Sequence, residues 1–312
     1  MISQLLRLLS FLILFIALSA STYAQGAAVA LDTNGAILRV DIKTGALTEK
    51  AAEALNNFIL GATARNGGKF YYVGEPSGST EKALYTVKIG TGQIGHIDLD
   101  RNDQVRDLFF NGNKLFGIFY DGNAGTAGIY RINVKTGVTT LIIDLSTLDI
   151  EPIAGAITSY GKFYYILAKP ESDSSQRRLV RFTTKTASAP QVLDVVDSTN
   201  SPVLCDKLKP NVSKKNFVCL ASKNSETQVD VCRLTLKGKA TVLSTLPNIL
   251  RVGGGHTMLT LNQKDYYAFV YAPGEPNNQR LIKFTAKGTI KSNLAIDGIM
   301  IGGHFAGEEP LL

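Results

Sequence analysis

The chain of 312 residues contains no tryptophan, only three cysteines and three methionines, and no run of five like charges. Each shortage excludes something. Without tryptophan, a sugar-stacking site would have to rest on tyrosine. Three cysteines with no CxxC pair make neither a zinc-ligand set nor a dense disulfide framework. The formal net charge is +7, but it is not gathered into a basic tail of the sort that grips nucleic acid, so no specific nucleic-acid binding is expected. The longest apolar run, Leu8–Ala20, falls short of the roughly 20 residues of a comfortable membrane span. No GxSxG elbow, HExxH helix, P-loop or EF-hand loop is present, which removes the commonest hydrolase, protease, nucleotide and calcium signatures.

That apolar run follows Met1–Arg7, with its single positive charge, and precedes the small polar stretch Ser21–Ala24. This is the order of a secretory signal, with cleavage expected after Ala24. The reading is a signal peptide over 1–24 and a secreted, extracellular protein over 25–312 with no membrane span after cleavage, acting as a monomer. Removal of Arg7 leaves a charge of about +6.

What the sequence has in abundance is one phrase, repeated six times. It reads ILRVDIKTG at Ile37–Gly45, LYTVKIGTG at Leu84–Gly92 and IYRINVKTG at Ile129–Gly137. It degrades to LVRFTTKTA at Leu179–Ala187, VCRLTLKGK at Val231–Lys239 and LIKFTAKGT at Leu281–Thr289. Offsets of 47, 45, 50, 52 and 50 residues mark a radial array of four-stranded units. A second series precedes it at a nearly fixed interval: KFYYV at Lys69, KLFGI at Lys114, KFYYI at Lys162, KNFVC at Lys215 and KDYYA at Lys264. Aromatic and β-branched residues make these second strands, and the alternating phrase makes the third. The Thr-Gly that follows turns the chain.

The predicted fold is an all-β, six-bladed propeller in one domain. Its blades are 27–55 with 298–306, 56–102, 103–149, 150–198, 199–247 and 248–297. Residues from Ala27 begin as a second strand, so the first blade lacks its innermost strand, and the segment Ile299–Ala306 supplies it. That closure removes the open edge of a linear array.

Candidate site residues fall into three groups. The innermost strands should line a channel, and they carry His256 and His304, placed at the same position of adjacent blades, with Asp107 and Asp206 within reach. Imidazole beside carboxylate suits Zn²⁺ or general-base chemistry. The loops after the second strands carry Asp32, Glu75, Asp121, Glu171 and Glu275, a set able to bind Ca²⁺ if its members converge and otherwise ordinary polar turn residues. His96 lies in a fourth strand and reads as surface. The fifth unit holds Cys205, Cys219 and Cys232, of which Cys219 can bridge to Cys205 or to Cys232. The sequon Asn211-Val212-Ser213 sits in a turn expected to be exposed, suitable for a glycan.

At the level of KFYYV…LYTVKIGTG…IGHIDL, the chain resembles the six-bladed propeller superfamily. That group includes the SMP-30/gluconolactonase-like, strictosidine-synthase-like, NHL-repeat and YWTD propellers. The resemblance covers nearly the whole segment after the signal and is architectural: there is no YWTD tetrapeptide. It leaves two functions. The first is a non-enzymatic binding protein that recognises a protein, glycan or small ligand on one face. The second is a metal-dependent lactonase- or esterase-like hydrolase with His256 and His304 at the channel, assisted by Asp107 or Asp206.

Overall fold

The computed structural model describes residues 27–52, 55–185, 189–222, 228–255, 257–260, 264–275 and 278–305, with only the backbone of 55–61 and 222. The expected signal peptide lies outside these residues. Six antiparallel sheets form a closed ring. Blade 1 contains Ala27–Asp32, Ala36–Asp41 and Leu47–Ala52. Its innermost strand is Met300–Phe305, which pairs with Ala27–Asp32 through Ala28↔Phe305 and Ala30↔Gly303. The ring therefore closes as the sequence predicts. Blades 2 to 5 begin at the innermost strands Leu55–Asn66, Gln104–Asn111, Glu151–Tyr160 and Cys205–Asn211. In blade 6 that strand is split into Arg251–Val252 and Met258–Thr260, both paired with Asp265–Tyr271.

The first three strands of each blade are sandwiched between neighbours and carry apolar residues on both faces. Phe70, Tyr72, Val73, Leu84 and Tyr85 are all fully buried in blade 2. The fourth strands face outward and alternate, as in Gln93–Asp98. The third-strand alternation has a spatial meaning. Leu38, Val40 and Ile42 pack toward blade 6, while Ile37 packs toward blade 2. One apolar cluster fills each of the six interfaces between successive blades.

The recurring turn glycine does two jobs, seen at Gly137. It holds φ at 73°, and a Cβ there would run into the carbonyl of Asp98 on blade 2. The turn thus docks blade 3 onto blade 2, and Gly45, Gly92, Gly238 and Gly288 meet the preceding blade likewise. Among the described residues no helix is long and apolar enough to cross a membrane.

Candidate functional site

The innermost strands are not uniform. In blades 1, 3 and 5 one extra residue interrupts pairing with the second strand: Ile301, Arg106 and Asp206. In blades 2 and 4 four residues, 59–62 and 153–156, stand opposite one partner. In blade 6 five residues, 253–257, stand opposite Phe269. Short and long bulges therefore alternate around the ring, giving the channel an approximate threefold character. The long bulges are rich in Gly and Ala, which lets their backbone approach the axis closely.

Lys207 follows the short bulge of blade 5 and uses the long bulges on either side. Its Nζ donates to the carbonyl of Ala154 on blade 4 at 2.7 Å and to that of Gly255 on blade 6 at 2.5 Å. The ammonium fills the place among inward-facing carbonyls that a cation would take. Burial pushes its pKa down to about 8, with Asp206 and Asp107 pulling the other way. Asp107 occupies the equivalent position on blade 3 and is 1% exposed. Its Oδ1 accepts the Leu108 N–H at 2.9 Å, and the Ile157 N–H also reaches the carboxylate. Burial raises its pKa well above the usual carboxylate range, while Lys209 and Lys207 oppose the rise. His304 lies near the far end of the channel, with Nε2 3.1 Å from Thr63 Oγ1. Burial first, then the charge of Lys209, pushes its pKa down to about 3, so the ring is neutral at pH 7.

His304 pairs with Val29 and Leu259 with Tyr267, which are equivalent second-strand positions. His304 therefore matches Leu259 in register. His256 lies outside the described residues. Asp206 does not share the channel with Asp107. As the extra residue of a bulge it turns to the rim and accepts from Arg177 at 3.0 Å. Lys207 and Lys209 escaped the sequence reading, although the alternation of FILGATA, PIAGAIT and RVGGGHTM with QVRDLFF and PVLCDKL carried a signal for them.

Four of the five loop acids meet partners within their own loops or the strand that follows, and Glu171 meets the neighbouring blade. Asp32 accepts the backbone N–H groups of Asn34 and Ala36, and Asp121 those of Asn123 and Ala124. Glu275 pairs with Arg280 at 3.0 Å, Glu75 lies 4.0 Å from Lys82, and Glu171 meets the Tyr120 hydroxyl. Among the described residues no three His, Cys, Asp or Glu side chains are placed to share a metal ion. His96 is exposed on its outer strand beside Tyr85.

All three cysteines are fully buried. Cys219 stands directly opposite Cys232 on one side and Leu208, not Cys205, on the other. The short helical turn Val212–Lys214 and the extra Asp206 shift that register. The Cys205 and Cys219 sulfurs nevertheless meet diagonally at 2.7 Å, both as free thiols. In the sequon, Val212 is 39% exposed but Asn211 only 8%, and its Oδ1 accepts from Ser213 Oγ at 3.1 Å.

The two mouths of the channel differ in charge. Around the starts of the innermost strands, acids and bases are laced together: Arg106 and Lys169 both reach Glu151 at 2.8 Å, and Arg178 lies 3.6 Å from Asp149. The turns joining first to second strands surround the other mouth. They present Lys69, Lys114, Lys162, Lys214, Lys215 and Lys264, all exposed. Lys69, Lys114, Lys214 and Lys215 meet no carboxylate among the described residues. Arg65 and Lys209 add positive charge just inside.

Neither a protein-family model nor a curated protein matches the sequence. Many solved structures share the fold. TolB from Acinetobacter baumannii has a TM-score of 0.60 at 14% identity over 91% of this chain, which spans 66% of the TolB chain. A propeller in the nidogen/laminin complex has a TM-score of 0.60 at 11% identity, covering 91% of this chain and all of the other. A protein provisionally assigned as a 6-phosphogluconolactonase, from Bacteroides uniformis, has a TM-score of 0.57 at 14% identity, covering 90% and 100%. At such identities the likeness concerns the fold alone.

Proposed function

We propose that this chain is an exported, non-enzymatic binding propeller that takes an anionic glycan on its lysine-rimmed mouth. One observation carries the reading: the turns of five blades each place at least one exposed lysine around a single channel opening, and four of these lysines have no carboxylate partner among the described residues. Like charges gathered without counter-charges raise the local potential and draw an anion to that face. Long, flexible ammonium side chains around an open ring suit a hydrated, multiply charged polymer better than a flat apolar protein surface. The hydrolase alternative gains no such support. Asp206 is held by Arg177, Asp107 sits among lysines, and the channel carbonyls of Ala154 and Gly255 are already bound by Lys207.

The test compares the wild-type protein with the triple variant Lys114→Glu, Lys162→Glu, Lys215→Glu on sulfated and uronate oligosaccharides over a range of salt. Binding should weaken at least about tenfold in the variant, and the slope of log affinity against log salt should become shallower. Equal affinity and equal slope in the two proteins would sink the proposal. So would preference of the wild-type rim for an acidic protein over every glycan.

A further inference from the structure

The turn between third and fourth strands is the most regular feature of the chain, and blade 2 breaks it. In the other five blades the residue closing the third strand is an acceptor that caps the turn. Asp41 Oδ1 accepts from Lys43 N at 2.8 Å, and Asn133 Oδ1 from Lys135 N at 3.0 Å. Thr183, Thr235 and Thr285 do the same through Oγ1 for the N–H groups of Lys185, Lys239 and Thr289. Two residues after each acceptor stands a lysine: Lys43, Lys135, Lys185, Lys237 and Lys287. In blade 2 a lysine, Lys88, takes the acceptor's place and Gly90 takes the lysine's.

Lys88 has no acceptor with which to cap the turn. Only the backbone bonds of the turn remain: the Lys88 carbonyl receives Thr91 N at 3.2 Å and Gly92 N at 2.8 Å, as the Asn133 carbonyl receives Thr136 N and Gly137 N in blade 3. Lys88 is also the direct cross-strand partner of Lys69, and like charges so placed repel. Gln93 Oε1 accepts from Lys88 Nζ at 2.7 Å, but no carboxylate meets either ammonium among the described residues. Removal of the side chain at position 90 leaves open space there. The outcome is a pocket of about 510 Å³ lined by Asn66, Lys69, Tyr71, Lys88 and Thr91 with Gly68 and Gly90. Its size falls in the range of small-ligand sites and exceeds what a bare phosphate fills.

We propose that this pocket binds an oxyanion-bearing sugar unit, with the phosphate, sulfate or carboxylate between Lys69 and Lys88. The Asn66 amide and Thr91 hydroxyl serve the sugar's hydroxyl groups, and the buried Tyr71 ring forms one wall. The site deepens the glycan reading of this face. Its own residues are untouched by the rim variant, so the two readings fail separately.

The decisive variant restores the turn of the other blades: Lys88→Thr with Gly90→Lys. Position 90 has room for a side chain, so this protein should fold with an unchanged or higher melting temperature. Calorimetric titration with glucose 6-phosphate, glucose 6-sulfate and glucuronate should show saturable wild-type binding of at least one, about tenfold or more tighter than glucose. The restored-turn variant should lose that binding by about tenfold or more, as should Lys69→Gln. The rim variant should keep it. A uronate oligosaccharide that binds far more tightly than the single sugar identifies a polymer as the source, and equal affinity identifies a free sugar. The proposal fails if none of the three sugars saturates below about 20 mM, or if the restored-turn variant binds as the wild type does. It also fails if inorganic phosphate binds as tightly as the sugar phosphate.

Discussion

His304 and Thr63 join the last strand of the propeller to its second blade, with Nε2 and Oγ1 3.1 Å apart in a buried setting. The ring nitrogen is held neutral because burial and Lys209 push its pKa down to about 3. The unfolded chain, with an ordinary value near 6.5, binds a proton that the folded chain refuses. Stability contributed by this group is therefore full above about pH 6.5 and is lost as pH falls toward 3, by up to about 5 kcal/mol. His304→Gln can keep a hydrogen bond to Thr63 but cannot titrate. It should cost about 1 kcal/mol at pH 7 and flatten the acid limb of stability against pH. Urea unfolding at pH 7 and pH 4 checks this; an acid limb as steep as the wild type's contradicts it.

Lys207 gives a second window of the same sign, on the alkaline side. Its folded pKa is pushed down to about 8 from an ordinary 10.5, so between these values the unfolded chain holds a proton that the folded chain has released. Stability should rise with pH through this interval, by up to about 3 kcal/mol from this residue. Lys207→Met removes the titration along with the bonds to Ala154 and Gly255. The stability difference between wild type and variant should therefore grow in the wild type's favour from pH 8 to pH 10.5. A constant difference across that range would show that the ammonium is not buried as described.

The propeller itself was legible because its signals are local. Alternating third strands recur in all six units, Thr-Gly turns in three and aromatic second strands in five, and the missing inner strand at the start found its complement at Met300–Phe305. The channel was less legible because register there depends on bulges. Five residues opposite Phe269 but a single extra one at Ile301 put Leu259 in register with His304. Asp206 and Lys207 are adjacent in sequence, yet one faces Arg177 at the rim and the other spans the channel. Nothing in composition distinguishes them. The exchange of Lys88 and Gly90 stood in plain view within LYTVKIGTG, but its meaning depends on the capping bonds of the other five turns.

Of the two disulfides that sequence left open, Cys205–Cys219 has its sulfurs in contact at 2.7 Å; Cys232, directly across from Cys219, also lies close to both thiols. Under oxidised glutathione, which takes up the two electrons and two protons of the thiols, the bridge expected is Cys205–Cys219, leaving Cys232 as a buried thiol. Closing a loop of this length should stabilise the fold by about 3 kcal/mol. Peptide mapping after alkylation reads the pairing directly. Recovery of a Cys219–Cys232 peptide, or of three alkylated cysteines after prolonged oxidation, contradicts this expectation.

Two glycines separate the cost of a turn from the cost of a docked turn. Gly112 and Gly137 both have positive φ, 56° and 73°. A Cβ on Gly112 would meet nothing within 4 Å, whereas one on Gly137 would strike the Asp98 carbonyl of the preceding blade. Gly112→Ala should therefore cost only the backbone strain, about 1 kcal/mol. Gly137→Ala must also force blades 2 and 3 apart where Asp100 accepts the Thr139 N–H at 3.0 Å, and should cost about 3 kcal/mol or more. Denaturant unfolding of the two variants gives both numbers. Equal losses would mean that the repeated glycine serves the turn alone and that the blades are held together by their apolar interfaces.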